Sequence, residues 1–181
     1  MVYMFLADGF EEIEAITPLD ILRRADISVT TVALTPEFRA VVGAHGVGML
    51  ADAHFSEVEI FDTEMIILPG GAVGTDNLNA SEWVKSCIRA AADSGAYIAA
   101  ICAAPSILGS MNLLGGVCAT CFPGYEQELV GAVISDKSVA ADGRMITAKA
   151  AGAAAEFGFA LVAALKDAQT AAEIREKMFY V

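Results

Sequence analysis

The chain has 181 residues, 56% of them hydrophobic, which is enough apolar matter for a substantial core in a single unit spanning residues 1–181. Acidic residues outnumber Lys and Arg by 23 to 11, and the net charge of −12 argues against nucleic acid or anionic lipid as the main partner. No low-complexity tract and no block of like charge marks a linker.

Strand and helix patterns alternate along the chain, as expected of a mainly parallel sheet covered on both faces. Val2–Leu6 and Ile27–Leu34 read as strands around a helix from about Glu11 to Ala25. The first strand is too short for a membrane span or a signal-peptide core and lacks a basic flank, so a soluble, cytoplasmic protein is expected. Val41–Leu50, broken by Gly43, Gly46 and Gly48, reads as an irregular ribbon beside the sheet. Met65–Leu68 is a short buried strand that ends in Pro69-Gly70-Gly71. Ser81 caps a helix that runs to Ser94 and stops at Gly95, and Tyr97–Ile101 is the next strand. Val117–Phe122 reads as a strand, and Asp142-Gly143 as the turn of a hairpin. Ala153–Leu165 is a helix apolar nearly all round, expected to lie against the sheet and a second subunit, and Thr170-Ala171-Ala172-Glu173 reads as a capping box opening the last helix.

In an open α/β sheet, ligands bind beyond the carboxyl ends of the strands, which directs attention to three places. The first is Tyr97–Ile101 running straight into Cys102, with Ala100 and Ala104 two residues to either side and Pro105 suited to the first turn of a helix. A nucleophile elbow needs small residues there because strand and helix backbones approach closely, and amide dipoles at the corner favour the thiolate. A small buried hydrophobe is the competing reading of Cys102. The second place is Glu14. At helical spacing it shares a stripe with Thr17, Pro18, Ile21, Leu22 and Ala25, so either it is a solvated acid or its carboxyl lies on an apolar face near Cys102, where burial keeps it protonated. The third is Gly70-Gly71, either a plain turn or a source of amides that join Ala103 in an oxyanion hole. Glu11 and Glu12 read as ordinary first-turn acids.

Cys87, Cys102, Cys118 and Cys121 are too few and too irregularly spaced for a disulfide framework, so reduced thiols are expected. Cys118 and Cys121 have a metal-like spacing, but side chains three apart on a strand point to opposite faces, and no metal site is expected. His45 and His54 read as loop or surface residues and Trp83 as a packing residue.

Taken together, Gly9-Phe10-Glu11-Glu12-Ile13-Glu14, Pro18-Leu19-Asp20, Arg23-Arg24-Ala25, Leu68-Pro69-Gly70-Gly71 and Ala99-Ala100-Ile101-Cys102-Ala103-Ala104-Pro105 resemble the ThiJ/PfpI superfamily over essentially the whole chain. The similarity is greatest to the branch holding the parkinsonism-associated protein and its bacterial relatives. The resemblance implies a flavodoxin-like three-layer α/β sandwich and a homodimer. It also implies Cys102 as reactive thiol, Glu14 as its protonated partner, the Gly71 and Ala103 amides as oxyanion donors, and no cofactor.

Departures from that pattern narrow the activity. Phe122 stands where many members of the branch carry a histidine, and Lys149-Ala150-Ala151-Gly152 replaces a Gly-Pro-Gly turn. Residue 103 is alanine where the protease-named branch has histidine, and no histidine follows Cys102, which disfavours protease and glutamine amidotransferase chemistry. Two functions are expected. One is a glyoxalase- or deglycase-like enzyme acting on 2-oxoaldehydes or glycated substrates without glutathione or metal. The other is a redox-sensing, chaperone-like stress protein whose Cys102 is oxidised to sulfinate.

Overall fold

The computed structural model describes residues 1–35, 38–59 and 62–180. In chain order its elements are β1 (Val2–Leu6), α1 (Glu12–Arg24), β2 (Val29–Ala33), β3 (Ala40–Val42), β4 (Gly48–Leu50), β5 (Ala53–His54), β6 (Met65–Leu68), α2 (Ala72–Ala80), α3 (Glu82–Asp93) and β7 (Tyr97–Ile101). They continue with α4 (Pro105–Ser110), β8 (Cys118–Ala119), β9 (Val133–Ile134), β10 (Val139–Asp142), β11 (Met145–Ala148), α5 (Ala154–Leu165) and α6 (Ala168–Lys177).

Seven strands form the main sheet in the order β10-β11-β7-β6-β1-β2-β5, all parallel except the β10–β11 hairpin. Because side chains alternate along a strand, each central strand feeds both faces. Met4, Leu6, Ile67 and Ile101 pack toward α1, α5 and α6, while Phe5, Ile66, Leu68 and Ile98 pack toward α2, α3 and α4. The result is the expected three-layer sandwich. Trp83 closes the second face, 5.1 Å from the Phe5 ring centroid. Among the described residues no helix is long and apolar enough to cross a membrane.

Several local expectations are corrected. The last helix is capped by Asp167, which accepts from the Thr170 amide, so Thr170 lies inside α6 and the capping box at 170–173 does not form. The strand expected over 117–122 shrinks to Cys118–Ala119, because the Thr120 amide donates to the Thr147 hydroxyl and the Phe122 amide to the Cys102 carbonyl instead of to a ladder. The hairpin turn falls one residue later than expected, on Gly143-Arg144, with Asp142 paired to Met145. α2 has no counterpart in the sequence reading. Its nine residues include Gly74, Asp76, Asn77 and Asn79, a composition poor in helix formers, and packing holds it in place.

The edge of the sheet shows how a side chain replaces a missing ladder bond. β5 pairs with β2 only at Val32–Ala53 and Ala33–His54, which leaves the amide of Thr31 beyond its reach. Asp52 fills the gap. Its Oδ2 accepts from the Thr31 amide at 2.9 Å, the Thr31 hydroxyl at 2.8 Å and the Arg23 guanidinium at 2.7 Å, and Thr31 is itself buried. Removing this acceptor strands a buried donor, a change that costs about 1–3 kcal/mol. Asp52→Ala is therefore expected to lower the unfolding free energy in urea by about 2 kcal/mol, with Asp52→Asn losing less because it keeps one carbonyl oxygen.

Candidate active site

β1, β6 and β7 are neighbours in the sheet and run parallel, so their carboxyl ends lie side by side. Each end supplies one part of the site. β1 leads through Ala7-Asp8-Gly9-Phe10 into α1, whose first turn carries Glu14. β6 leads through Pro69-Gly70-Gly71 into α2. β7 ends at Ile101, and Cys102 follows at the corner before α4.

Cys102 holds a left-handed backbone, φ 65°, unusual for a residue with a side chain and costing about 1–3 kcal/mol. Its neighbours fix it there. The Cys102 amide donates to the Ala148 carbonyl of β11, and its carbonyl accepts from the Phe122 amide at 2.8 Å. The strand-to-helix corner expected at Cys102 is present, with Pro105 at the start of α4.

Glu14 is only 1% exposed. Its Oε2 accepts from the Gly70 amide at 3.0 Å, and its carboxyl lies beside the Cys102 side chain. Gly70 has to lack a side chain, because a Cβ there would sit 2.5 Å from both the Cys102 Cβ and Glu14 Oε2. The reverse contact, from the Glu11 amide to the Gly70 carbonyl at 2.9 Å, ties the same peptide segment to the start of α1. Gly71 caps α2 with φ 90°, and its amide, like that of Ala103, favours charge on the Cys102 sulfur. Cys102, Glu14, Gly71 and Ala103 thus converge. Gly70, read from the sequence as a second amide open to a ligand, is instead committed to Glu14.

The electrostatics differ from the sequence expectation in one respect. Burial, and then the Glu14 carboxylate, push the Cys102 thiol up to about 12, outweighing the Gly71 and Ala103 amides that favour the thiolate. Burial likewise pushes Glu14 up to about 7, with Glu11 adding to the rise, against hydrogen bonds from Cys102 and Gly70 that favour the carboxylate. Both groups hold their protons more tightly than usual and face each other, so they titrate as a coupled pair. All four cysteines are unpaired, and burial pushes Cys87 and Cys121 up to about 11.

Glu12 and His45 play a larger part than the sequence suggested. Glu12 is buried, and its Oε1 accepts from the His45 amide at 2.8 Å while Oε2 meets the His45 ring at 2.9 Å. Burial opposes ionisation, yet the His45 ring and the His45 and Val47 amides hold the Glu12 carboxyl at about 2. This clamp fastens the turn between β3 and β4 onto the first turn of α1, next to Glu14. No local pattern announces it, since the two residues lie 33 apart on separate elements. Glu11, Glu12 and His45 also form a trio whose ligand atoms lie within 4.8 Å of one another, and the contacts it makes are those of a loop clamp.

The chain is similar to known proteins over most of its length. The family model of the DJ-1/PfpI family matches residues 1–164. The chain is 34% identical over 173 residues to protein dj-1beta of Drosophila melanogaster, covering 94% of this chain and 92% of that one. It is 28% identical over 152 residues to a deglycase of Pyrococcus horikoshii, covering 82% of this chain and 90% of the relative. It superimposes on oxidized DJ-1 of Toxoplasma gondii with a TM-score of 0.95 at 28% identity, covering 99% of this chain and 98% of that one. With its fold and sequence matched along nearly their whole length, the chain belongs to the DJ-1/PfpI family.

Proposed function

We propose that this protein is a cysteine-dependent enzyme that converts 2-oxoaldehydes to 2-hydroxy acids, with Cys102 as nucleophile, Glu14 as proton shuttle and the Gly71 and Ala103 amides as oxyanion donors. The observation that carries the reading is the contact between a buried carboxyl and a half-buried thiol at the carboxyl end of the sheet. The relative named a deglycase supports the same class of carbonyl chemistry.

In the proposed cycle the sulfur lone pair forms a bond to the aldehyde carbon. The C=O π pair moves to oxygen, which the two amides hold and which takes the proton shared by the pair, giving a neutral hemithioacetal and a Glu14 carboxylate. Glu14 then removes the hydrogen from the former aldehyde carbon as a proton. The electrons left behind form an enediolate with the adjacent carbonyl. Glu14 returns that proton to the adjacent carbon while the hydroxyl proton passes to the second oxygen, leaving a 2-hydroxy thioester. Water cleaves the thioester to the acid and restores the thiol. The sum is aldehyde plus water to hydroxy acid, with no outside oxidant or reductant.

Phe122, exposed beside the elbow, supplies no imidazole, so every proton transfer falls to Glu14 or water. A homodimer accompanies this reading, and Ile13 and Ile16, exposed on α1, are apolar positions suited to such a contact. The relative solved in an oxidized form favours a second reading, in which Cys102 becomes a sulfinate and the protein reports oxidation.

Purified protein is expected to consume methylglyoxal and release lactate, and Cys102→Ser to lose that activity. Wild-type protein that leaves methylglyoxal untouched while Cys102 oxidises readily to sulfinate would replace the enzyme reading by the redox one. Glu14→Gln should separate two properties. Without the neighbouring carboxylate the thiol ionises more readily, so alkylation of Cys102 at mildly alkaline pH is expected to quicken. Aldehyde turnover is expected to fall about 10²- to 10⁴-fold as the proton shuttle is lost. Parallel loss of both would deny Glu14 a catalytic part.

Stability should carry the same signature. Glu14 binds its proton more tightly in the fold than in the unfolded chain, so its protonation stabilises the fold fully below its ordinary value of 4.5 and the contribution disappears as pH rises through about 7. A shift of that size corresponds to a few kcal/mol, on the order of 3. Glu14→Gln, which cannot ionise, is therefore expected to gain stability relative to wild type between these pH values and to keep the gain above them. A difference in melting temperature that stays flat with pH would contradict the burial of an ionising carboxyl.

A further inference from the structure

The thiol–carboxyl pair fixes the reacting end of a substrate, and the groups around its mouth bear on the other end. Phe122 is held there by its backbone. Its amide donates to the Cys102 carbonyl at 2.8 Å, and its own carbonyl accepts from the Tyr125 amide at 3.0 Å. The residue just before it, Cys121, is buried, and the Thr120 amide before that is tied to the Thr147 hydroxyl. With both sides anchored, the Phe122 ring still stands 44% exposed, with the Tyr125 ring edge-on at 6.4 Å. Single exposed hydrophobics are ordinary on a protein surface. This one is attached to the backbone of the nucleophile. Val73, 61% exposed in the first turn of α2, stands two residues after Gly71, whose amide faces the same sulfur.

Acidic groups predominate near the mouth, although the His45 ring pairs with Glu11 and Glu12 and the Lys149 ammonium lies on the far side. Glu12 and Glu14 lie on the first turn of α1 and Glu11 at its N-cap, and Glu11 raises the affinity of Glu14 for its proton. Lys149, at the end of β11, has its ammonium engaged by the Asp136 carbonyl. The chain as a whole carries −12. A substrate with its own carboxylate or phosphate would enter against this field.

We infer that Phe122 and Val73 form an apolar mouth over Cys102 that selects neutral 2-oxoaldehydes with an aryl or branched alkyl substituent over methylglyoxal and over anionic carbonyl compounds. The inference rests on the enzyme reading above for its substrate class, but the mouth's preference is measurable without turnover. Hydrophobic discrimination by a pocket is worth about 10- to 200-fold.

Two measurements on wild type and Phe122→Ala test it. In the first, kcat/KM is determined for phenylglyoxal, methylglyoxal and glyoxylate. Wild type is expected to favour phenylglyoxal over methylglyoxal by about tenfold or more and to work poorly on glyoxylate, and Phe122→Ala to lower the phenylglyoxal-to-methylglyoxal ratio by about tenfold. In the second, the rate of Cys102 alkylation is compared for phenacyl bromide against bromoacetone, and for iodoacetamide against iodoacetate, with peptide mapping to confirm the site. The aryl reagent and the neutral reagent are expected to win in wild type, and Phe122→Ala to erase the aryl advantage while leaving the neutral-over-anionic preference. If no aldehyde is turned over but the alkylation ratios behave as stated, the enzyme reading falls and the apolar mouth stands. Alkylation ratios identical in wild type and Phe122→Ala, or no aryl preference in wild type, would overturn the mouth whatever the turnover shows.

Discussion

One contact organises this molecule: a buried carboxyl held against a half-buried thiol with a glycine peptide pressed between their backbones. Glu14, Gly70 and Cys102 come from the ends of three adjacent parallel strands, and no two of them are close in sequence. Water is largely kept from the carboxyl, which is 1% exposed, so neither group gives up its proton at its ordinary value. Two negative charges in so dry a corner would repel strongly, and a single shared proton relieves that. The proton's position is then set by small differences. Gly70 favours charge on the carboxylate, while Gly71 and Ala103 favour charge on the sulfur. A carbonyl arriving at the sulfur shifts that balance, and that is how the pair would begin chemistry without a metal or an imidazole.

The rest of the fold keeps this corner from relaxing. Cys102 is strained at φ 65°, and its amide and carbonyl are each tied to a different segment, the end of β11 and the loop carrying Phe122. Gly70 admits no side chain. Glu12 anchors the β3–β4 turn against α1 and fixes the helix start from which Glu14 projects. Behind it, the apolar stripe of Pro18, Ile21 and Leu22 seats α1 on the sheet and beside α5, where Gly158 lets the two helices approach closely. Pro18 sits within α1 without ending it. Stiffness at a reactive site of this kind costs stability, and the closely packed sheet centre offsets it.

Much of this was legible in the sequence because the relevant signals are local. The run of Tyr97–Ile101 into Cys102 with alanines at either side specifies an elbow, and helical spacing placed Glu14 on the buried stripe. Burial confirmed that placement over a solvated acid. What escaped was decided by contacts distant in sequence. The helix at 72–80 lacks good helix formers and depends on its neighbours, so composition gave no sign of it. Thr170-Ala171-Ala172-Glu173 has the letters of a capping box, but Asp167 lies three residues earlier and takes the capping role. The run 117–122 has strand-like residues, yet the Thr147 hydroxyl and the Cys102 carbonyl claim two of its amides. The amide dipoles that favour the thiolate are visible in a motif, whereas the desolvation and the facing carboxylate that oppose them are visible only in three dimensions.

Coupling between Glu14 and Cys102 is read by watching both groups in a single titration. Thiolate absorbance, taken as the difference between wild type and Cys102→Ser, would be followed together with the carboxylic-acid carbonyl stretch assigned to Glu14 by difference from Glu14→Gln. A coupled pair is expected to lose one proton near pH 7 and the second only at about 12. Loss of the acid stretch near 4.5, with the thiolate forming independently near 9, would show two uncoupled groups and contradict it.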